Sequence, residues 1–303
     1  MSSYNYLRFD VFTEQPLAGN QLAVFASADG LQPDTMQRIA NELCLPETTF
    51  VLRPTSDASA FRVRIFTPDR ELPMAGHPTV GTAFALAYLK QIRPSAAKVS
   101  FELGIGPTPV MLDWESDQLA SAWMAQPAPE FGKSFGNPDS VAQALRIDPS
   151  LICTPELPIQ IVSAGVPFLF VPLTSRAAVD EVILDRPRLI EACNEHGVEE
   201  LPVYVFTRQR GGDAATTYSR MFAPIFQIPE DPATGGASGP LAAYLARYCN
   251  VLTKGGNQLL NLQGVRMRRP SKIYMKSSAD ASTQGSMLVG GRAVLVGEGQ
   301  LYC

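Results

Sequence analysis

Residues Glu47–Leu89 read ETTFVLRPTSDASAFRVRIFTPDRELPMAGHPTVGTAFALAYL, and this stretch decides the fold because the chain carries it twice. With an offset of 156 it aligns, without a gap, to Val203–Leu245, VYVFTRQRGGDAATTYSRMFAPIFQIPEDPATGGASGPLAAYL, and ten positions are identical. They include Phe50 and Phe206, Asp57 and Asp213, Arg64 and Arg220, Phe66 and Phe222, Pro68 and Pro224, and Pro73 and Pro229. The triplets Ala87-Tyr88-Leu89 and Ala243-Tyr244-Leu245 close the match. A constant register over so long a stretch argues for a duplicated unit, and places the expected chemistry between the copies.

Each copy reads as strand, turn, strand, Pro-rich loop and helix. Phe61, Val63 and Ile65 alternate with Arg62 and Arg64, the period of two that marks a half-buried strand. A turn-forming stretch, Pro54–Ser59, precedes it. The helix after His77, TVGTAFALAYL, is apolar on nearly every side, as is its counterpart PLAAYLARYC. Such a helix suits an enclosed position rather than a surface. The expected fold class is therefore α+β, with two similar lobes at residues 1–125 and 126–303, each a curved mixed sheet wrapped around a central helix. The last strand is expected to pack back on the N-terminal lobe. A single large α+β domain is the alternative.

Outside the repeat, Met36, Ile39, Ala40, Leu43 and Cys44 share one face of a helix predicted over Pro33–Cys44, with Pro33 in its first turn. Asp185–His196 predicts another. The runs KIYMK, MLVGG and RAVLVGEG predict closing strands, with Gly290-Gly291 as a turn.

Composition narrows the function. A net charge of −4 over 303 residues, with both signs interleaved, offers no basic stripe for nucleic acid and no polybasic surface for a membrane. The five cysteines are scattered and include no CxxC pair, so neither a disulfide framework nor a zinc ribbon is expected. No basic leader with an apolar run opens the chain, which points to the cytoplasm. A small-molecule substrate is the default partner.

The residues that can carry chemistry cluster at the starts of the two enclosed helices. Helix N-termini present unpaired N–H groups, and glycine lets a ligand approach them, so a carboxylate is a suitable guest. Gly76, Gly235 and Gly236 sit there; tight turns alone would also explain them. His77 stands at the mouth of the first helix, where it can exchange a proton or donate to an anion. His196, in CNEHGVEE, reads as a solvated helix end. Asp231 occupies the second loop, aligned with Ala75, as a cap or a functional carboxylate. Glu47 opens the first strand of the repeat and aligns with Val203, an asymmetry that suits a carboxylate needed once; Asp69, Glu71 and Glu230 compete for that role. Two distant histidines and unclustered cysteines make no metal site. Ser238, His77 and Asp231 are a conceivable triad, although GGASG is not the GxSxG elbow.

Taken in order, FDVFTEQPLAGNQLAVF, MQRIANELCLPETTFV, RIFTPDRELPMAGHPTVGTAFAL, EDPATGGASGPLAAYL, QGVRMRRPSKIYM and VGGRAVLVGEG resemble the PhzF-like isomerases, which share a fold with diaminopimelate epimerase. The resemblance covers almost the whole chain. It implies a cofactor-independent isomerase, commonly a homodimer, that shifts a proton on a small carboxylate-bearing cyclic metabolite, with neither cofactor nor metal. Glu47 matches the family's proton-transferring glutamate, His77 the histidine of its GH[AP]T motif and Asp231 the aspartate of EDPATG. Gly76 matches a backbone contact; Asn20, Gly235, Gly236 and Ser238 are the further substrate-binding candidates. The chain departs from the pattern at Gly236, often serine; at Ala75, cysteine in relatives with epimerase chemistry; and at Met267-Arg268-Arg269-Pro270, which lacks the usual glycine before Arg-Pro. No thiol pair is present for a two-cysteine racemase. A hydrolase or lyase using His77 and Ser238, and a non-catalytic small-acid binding protein, are the competing readings.

Overall fold

Met1–Ala125 together with Val289–Cys303 form one unit of the chain, and Gln126–Leu288 form the other. The computed structural model describes residues 3–153, 156–251, 258–277 and 287–303. No helix among them is long and apolar enough to cross a membrane.

The first unit begins with β1 (Ser3–Val11) and β2 (Asn20–Phe25), then crosses through α1 (Pro33–Leu43) to β3 (Glu47–Leu52). It continues with β4 (Phe61–Phe66), the short β5 (Glu71–Leu72), α2 (Gly76–Tyr88), β6 (Lys98–Leu103), β7 (Gly106–Glu115) and β8 (Gln118–Gln126). The final strand, β18 (Ala293–Tyr302), lies antiparallel to β1. Pairing runs β18–β1–β2–β3–β4–β6–β7–β8, parallel at β2–β3 and β4–β6, where α1 and α2 make the crossovers.

The apolar character of α2 reflects enclosure: every residue from Gly76 to Leu86 is buried. A Cβ on Gly81 would lie 2.5 Å from Leu22 Cδ2 and 2.7 Å from Val11 Cγ2, so the helix rests directly on β1 and β2. On the other sheet face, Met36, Ile39 and Ala40 of α1 pack with Phe25, Phe50 and Phe66. Alternation along β3 therefore turns Phe50 toward α1 and Thr49 toward α2, where Thr82 donates to the Thr49 hydroxyl at 3.0 Å. Glu47, two residues before Thr49, shares the α2 face.

The second unit comprises β9 (Glu130–Phe135), α3 (Pro138–Leu145), β10 (Ile159–Ser163), β11 (Pro167–Pro172), α4 (Arg176–Glu181), α5 (Arg186–Glu195) and β12 (Val203–Thr207). It then adds β13 (Thr217–Ala223), β14 (Ile228–Asp231), α6 (Gly235–Cys249), β15 (Leu259–Gln263) and β16 (Ser271–Ser277). Its pairing, β9–β10–β11–β12–β13–β15–β16, is parallel at β11–β12 and β13–β15 and repeats the first unit's order from β18 to β7. Phe168, Phe170, Tyr204 and Phe206 pack on α6, while Leu169, Val171, Val203 and Val205 pack on the side of α3, α4 and α5. Both units are thus mixed sheets around an enclosed helix, the α+β class expected.

Three local expectations change. The α1 helix stops at Leu43, because Cys44 takes a left-handed conformation (φ 49°) and is exposed rather than on the buried face. Gly290 and Gly291 lie inside β17 (Met287–Gly291), with only Arg292 before β18. A Cβ on Gly290 would come within 2.4 Å of Ala122 O, so close strand approach, not a turn, requires that glycine. His196 is half-buried at the end of α5, stacked on Phe135 with ring centres 3.9 Å apart.

Candidate functional site

In the first unit, the parallel register of β2 and β3 sets Glu47 opposite Leu22, and α2 delivers His77 in its first turn. His77 Nε2 lies 3.0 Å from Glu47 Oε2 and 3.3 Å from Gln21 O. Both neighbours are oxygen acceptors, so Nε2 carries the proton and donates. The ring is buried, 5% exposed, and burial pushes its pKa down to about 3, against the opposing pull of the Gln21 carbonyl. An ionised Glu47 acts in the same sense as that carbonyl; desolvation of the enclosed ring decides the direction. His77 is therefore neutral near pH 7. Asn20, fully buried, immediately precedes Gln21 at the start of β2.

Two of the competing carboxylates are engaged elsewhere. Glu71 is gripped through both oxygens by Arg64, at 2.7 and 2.6 Å. Glu230 is held likewise by Arg220, at 2.8 and 2.9 Å. Arg220 also donates to the carbonyls of Val179, Asp180 and Val182 at the end of α4, so the Glu230 pair ties β14 to that helix. Asp69 is exposed in the turn before β5 and donates its backbone N–H to the Thr67 hydroxyl.

In the second unit, Asp231 closes β14 and accepts a 2.6 Å hydrogen bond from the Thr234 hydroxyl at Oδ2. Gly235 and Gly236 then start α6. A Cβ on Gly236 would meet no atom within 4 Å, so the missing side chain leaves open space at the helix start. Ser238 is fully buried and donates to Thr234 O at 2.9 Å. Its hydroxyl makes the internal bond of a helical serine to the preceding turn, not the exposed approach that a nucleophile needs.

The peripheral helices α3, α4 and α5 are capped by the side chains of Asn137, Ser175 and Asp185. Neither α2 nor α6 receives a cap bond from the side chain of its N-cap residue, Ala75 and Thr234 respectively.

Strand pairing corrects the residue-by-residue match between the copies. Ile65 faces Leu72, whereas Met221, its counterpart at the offset of 156, faces Asp231. Asp231 therefore corresponds to Leu72, not Ala75, and the helix starts align Gly76 with Gly235 and His77 with Gly236, not Ala233. The turn Pro224–Phe226 shifts the second copy by three residues, and the shift persists along the helices, so that Ala87 lies near the end of α2 whereas Ala243 lies about a turn earlier in α6.

Arg268, where the family pattern has glycine, has φ 58°. A side chain is strained in that left-handed conformation. Arg268→Gly should raise stability by about 1 kcal/mol, read as a higher urea midpoint at unchanged slope. Nothing in the structure explains the added charge.

The profile of the PhzC-PhzF family, described as phenazine biosynthesis-like protein, matches residues 9–299. The chain belongs to this family. It is 36% identical over 299 residues to the trans-2,3-dihydro-3-hydroxyanthranilate isomerase of Pseudomonas aeruginosa, covering 99% of each chain. The crystal structure of a PhzF-family phenazine biosynthesis protein from Bacillus anthracis superposes with a TM-score of 0.90 at 26% identity, covering 100% of both chains. A hydroxyproline epimerase from Agrobacterium vitis, at 14% identity and TM-score 0.65 over 99% of this chain and 92% of its own, shares the fold alone. The chain is accordingly an isomerase of PhzF type.

Sequence reasoning singled out Glu47 and His77, and the structure brings them into contact. It missed Thr234 and Gln263, which lie against Asp231. The only trace of Gln263 was its place in the QGVRMRRPSKIYM block.

Proposed function

We propose that the chain shifts a proton between two ring carbons of a small cyclic carboxylate, a dihydro-hydroxyanthranilate or a close analogue. The observation that carries this reading is the buried contact of Glu47 with a neutral His77 at the uncapped start of α2. Glu47 takes a proton from one carbon and returns it to another, so the substrate is rearranged without net gain or loss of protons. The neutral His77, its Nε2 proton directed to the Gln21 carbonyl, packs 3.0 Å from Glu47 Oε2 and steadies charge on it. Asp231, with Gly235 and Gly236 at the start of α6, contributes polar contacts to the substrate, and in the first unit the leading amides of α2, with Gly76 and Asn20, bind a carboxylate.

Trans-2,3-dihydro-3-hydroxyanthranilate incubated with the enzyme in deuterated water should yield product carrying one deuterium on carbon, detected by mass spectrometry and located by NMR. Isomerised product with no deuterium, under conditions where the protein's exchangeable protons are fully replaced, would exclude a solvent-exchanging carboxylate as the carrier. We further propose a cytoplasmic homodimer, which family likeness and the free cysteines favour. Light scattering should then give about twice the 32.8 kDa of the chain.

A further inference from the structure

We propose that Thr234 and Gln263 are positioning residues that aim the Asp231 carboxylate through a directed chain of buried hydrogen bonds. This inference rests on the role given to Asp231 above.

Gln263 ends β15, where its register opposite Ser219 of β13 brings a fully buried primary amide beneath the Asp231–Thr234 loop. Its Nε2 donates to Asp231 O at 2.8 Å and to Thr234 Oγ1 at 2.9 Å. Its Oε1 accepts from Thr234 N at 3.3 Å and from the Tyr204 hydroxyl at 3.0 Å. Two donors and two acceptor sites are all that such an amide offers, so Gln263 is saturated. Turning it over would set NH2 against an N–H and an oxygen against a carbonyl.

That orientation fixes the next proton. Thr234 Oγ1 already accepts from Gln263, so its single proton points to Asp231 Oδ2, 2.6 Å away. On the far side, Asn261 Nδ2 donates to Tyr204 at 2.9 Å, and the tyrosine hydroxyl donates onward to Gln263 Oε1. Direction thus runs from the sheet interior to the carboxylate.

Two further features set this apart from ordinary loop packing. Thr234 occupies the N-cap position of α6, where threonine normally bonds a first-turn amide, yet it makes no such bond and turns its hydroxyl to Asp231. The loop is also clamped through its backbone. Gly264, with φ +76°, lies so close that a Cβ would stand 2.5 Å from Pro232 O and 2.4 Å from Arg269 O. Side chain and backbone of successive residues therefore hold the segment that carries Asp231.

The test compares steady-state kinetics and melting of Thr234→Val, Thr234→Ser, Gln263→Leu, the double variant Thr234→Val/Gln263→Leu and Asp231→Asn, with trans-2,3-dihydro-3-hydroxyanthranilate as substrate. Thr234→Val and Gln263→Leu should each lower kcat by roughly tenfold to a hundredfold while KM stays within about threefold, since displacement of a reacting group by about 1 Å has effects of that size. The double variant should lose no more than the worse single, because the two act in series. Thr234→Ser, which keeps the hydroxyl, should stay within about threefold of wild type in kcat. Losses that multiply in the double variant, or a Thr234→Val enzyme that melts lower but turns over normally, would overturn the proposal. Should Gln263→Leu fail to fold, the valine and serine variants at Thr234 still decide it. Full activity in Asp231→Asn would instead remove the role of Asp231 itself, whereas loss there with none in Thr234→Val defeats the positioning inference alone.

Discussion

Glu47→Gln should abolish incorporation of solvent deuterium into carbon and lower kcat by about 10²- to 10⁴-fold, the usual worth of a general acid–base group. The substitution is nearly isosteric and keeps the local geometry, because the amide fills the same place 3.0 Å from His77 Nε2, whose bond to the Gln21 carbonyl is untouched. What disappears is the ability to carry a proton. Stability should hold or rise slightly, since a carboxylate on a side chain 12% exposed is replaced by a neutral group. Glu71→Gln is the control: its carboxylate is held bidentately by Arg64, so its loss acts on folding rather than turnover. Equal exchange and equal kcat in wild type and Glu47→Gln would remove Glu47 from the reaction. A similar loss in Glu71→Gln would show that the assay follows stability.

How much of this was legible depends on the range of each interaction. Period-two alternation at Phe61, Val63 and Ile65 and the all-apolar face of α2 are local consequences of burial, so they were readable from single stretches. The duplication was readable because Phe66 and Phe222 pack beneath the peripheral helices of their units alike, although Phe50 faces α1 and Phe206 faces α6. The register at the loops was not, because the insertion at Pro224–Phe226 leaves the Ala-Tyr-Leu triplets matched in sequence but about a turn apart along α2 and α6, which only strand pairing and the helix starts reveal. Glu47 stood out through its mismatch with Val203, but its distinction from Glu71 and Glu230 lay in the partners Arg64 and Arg220, which only the sheet brings into reach. Gln263 was illegible for the same reason. It meets Asp231 across a parallel strand pair, and no spacing rule links two residues so far apart in the chain.

Acid should destabilise the protein through His77 over a window set by the two states of that ring. In the folded chain burial holds its pKa near 3, while in the unfolded chain it returns to about 6.5. Between those values the unfolded state binds more protons, so stability rises with pH across the window, is flat above about 6.5, and falls as pH drops toward 3. One proton corresponds to about 1.4 kcal/mol per pH unit, hence roughly 2 to 3 kcal/mol between pH 6.5 and 4.5. Asp213 also weakens the fold in acid, since Arg176 holds its pKa at about 2, but its contribution is lost only below the ordinary aspartate value of 3.8. Urea midpoints from pH 7 to pH 4.5 therefore isolate the histidine. His77→Gln, which keeps a donor for Gln21 O but cannot be protonated, should flatten that limb while leaving the decline below pH 4 in place. Parallel curves for the two proteins would mean that the folded ring accepts its proton as readily as the unfolded one, and the neutral donor assigned to His77 would have to be replaced by an imidazolium paired with an ionised Glu47.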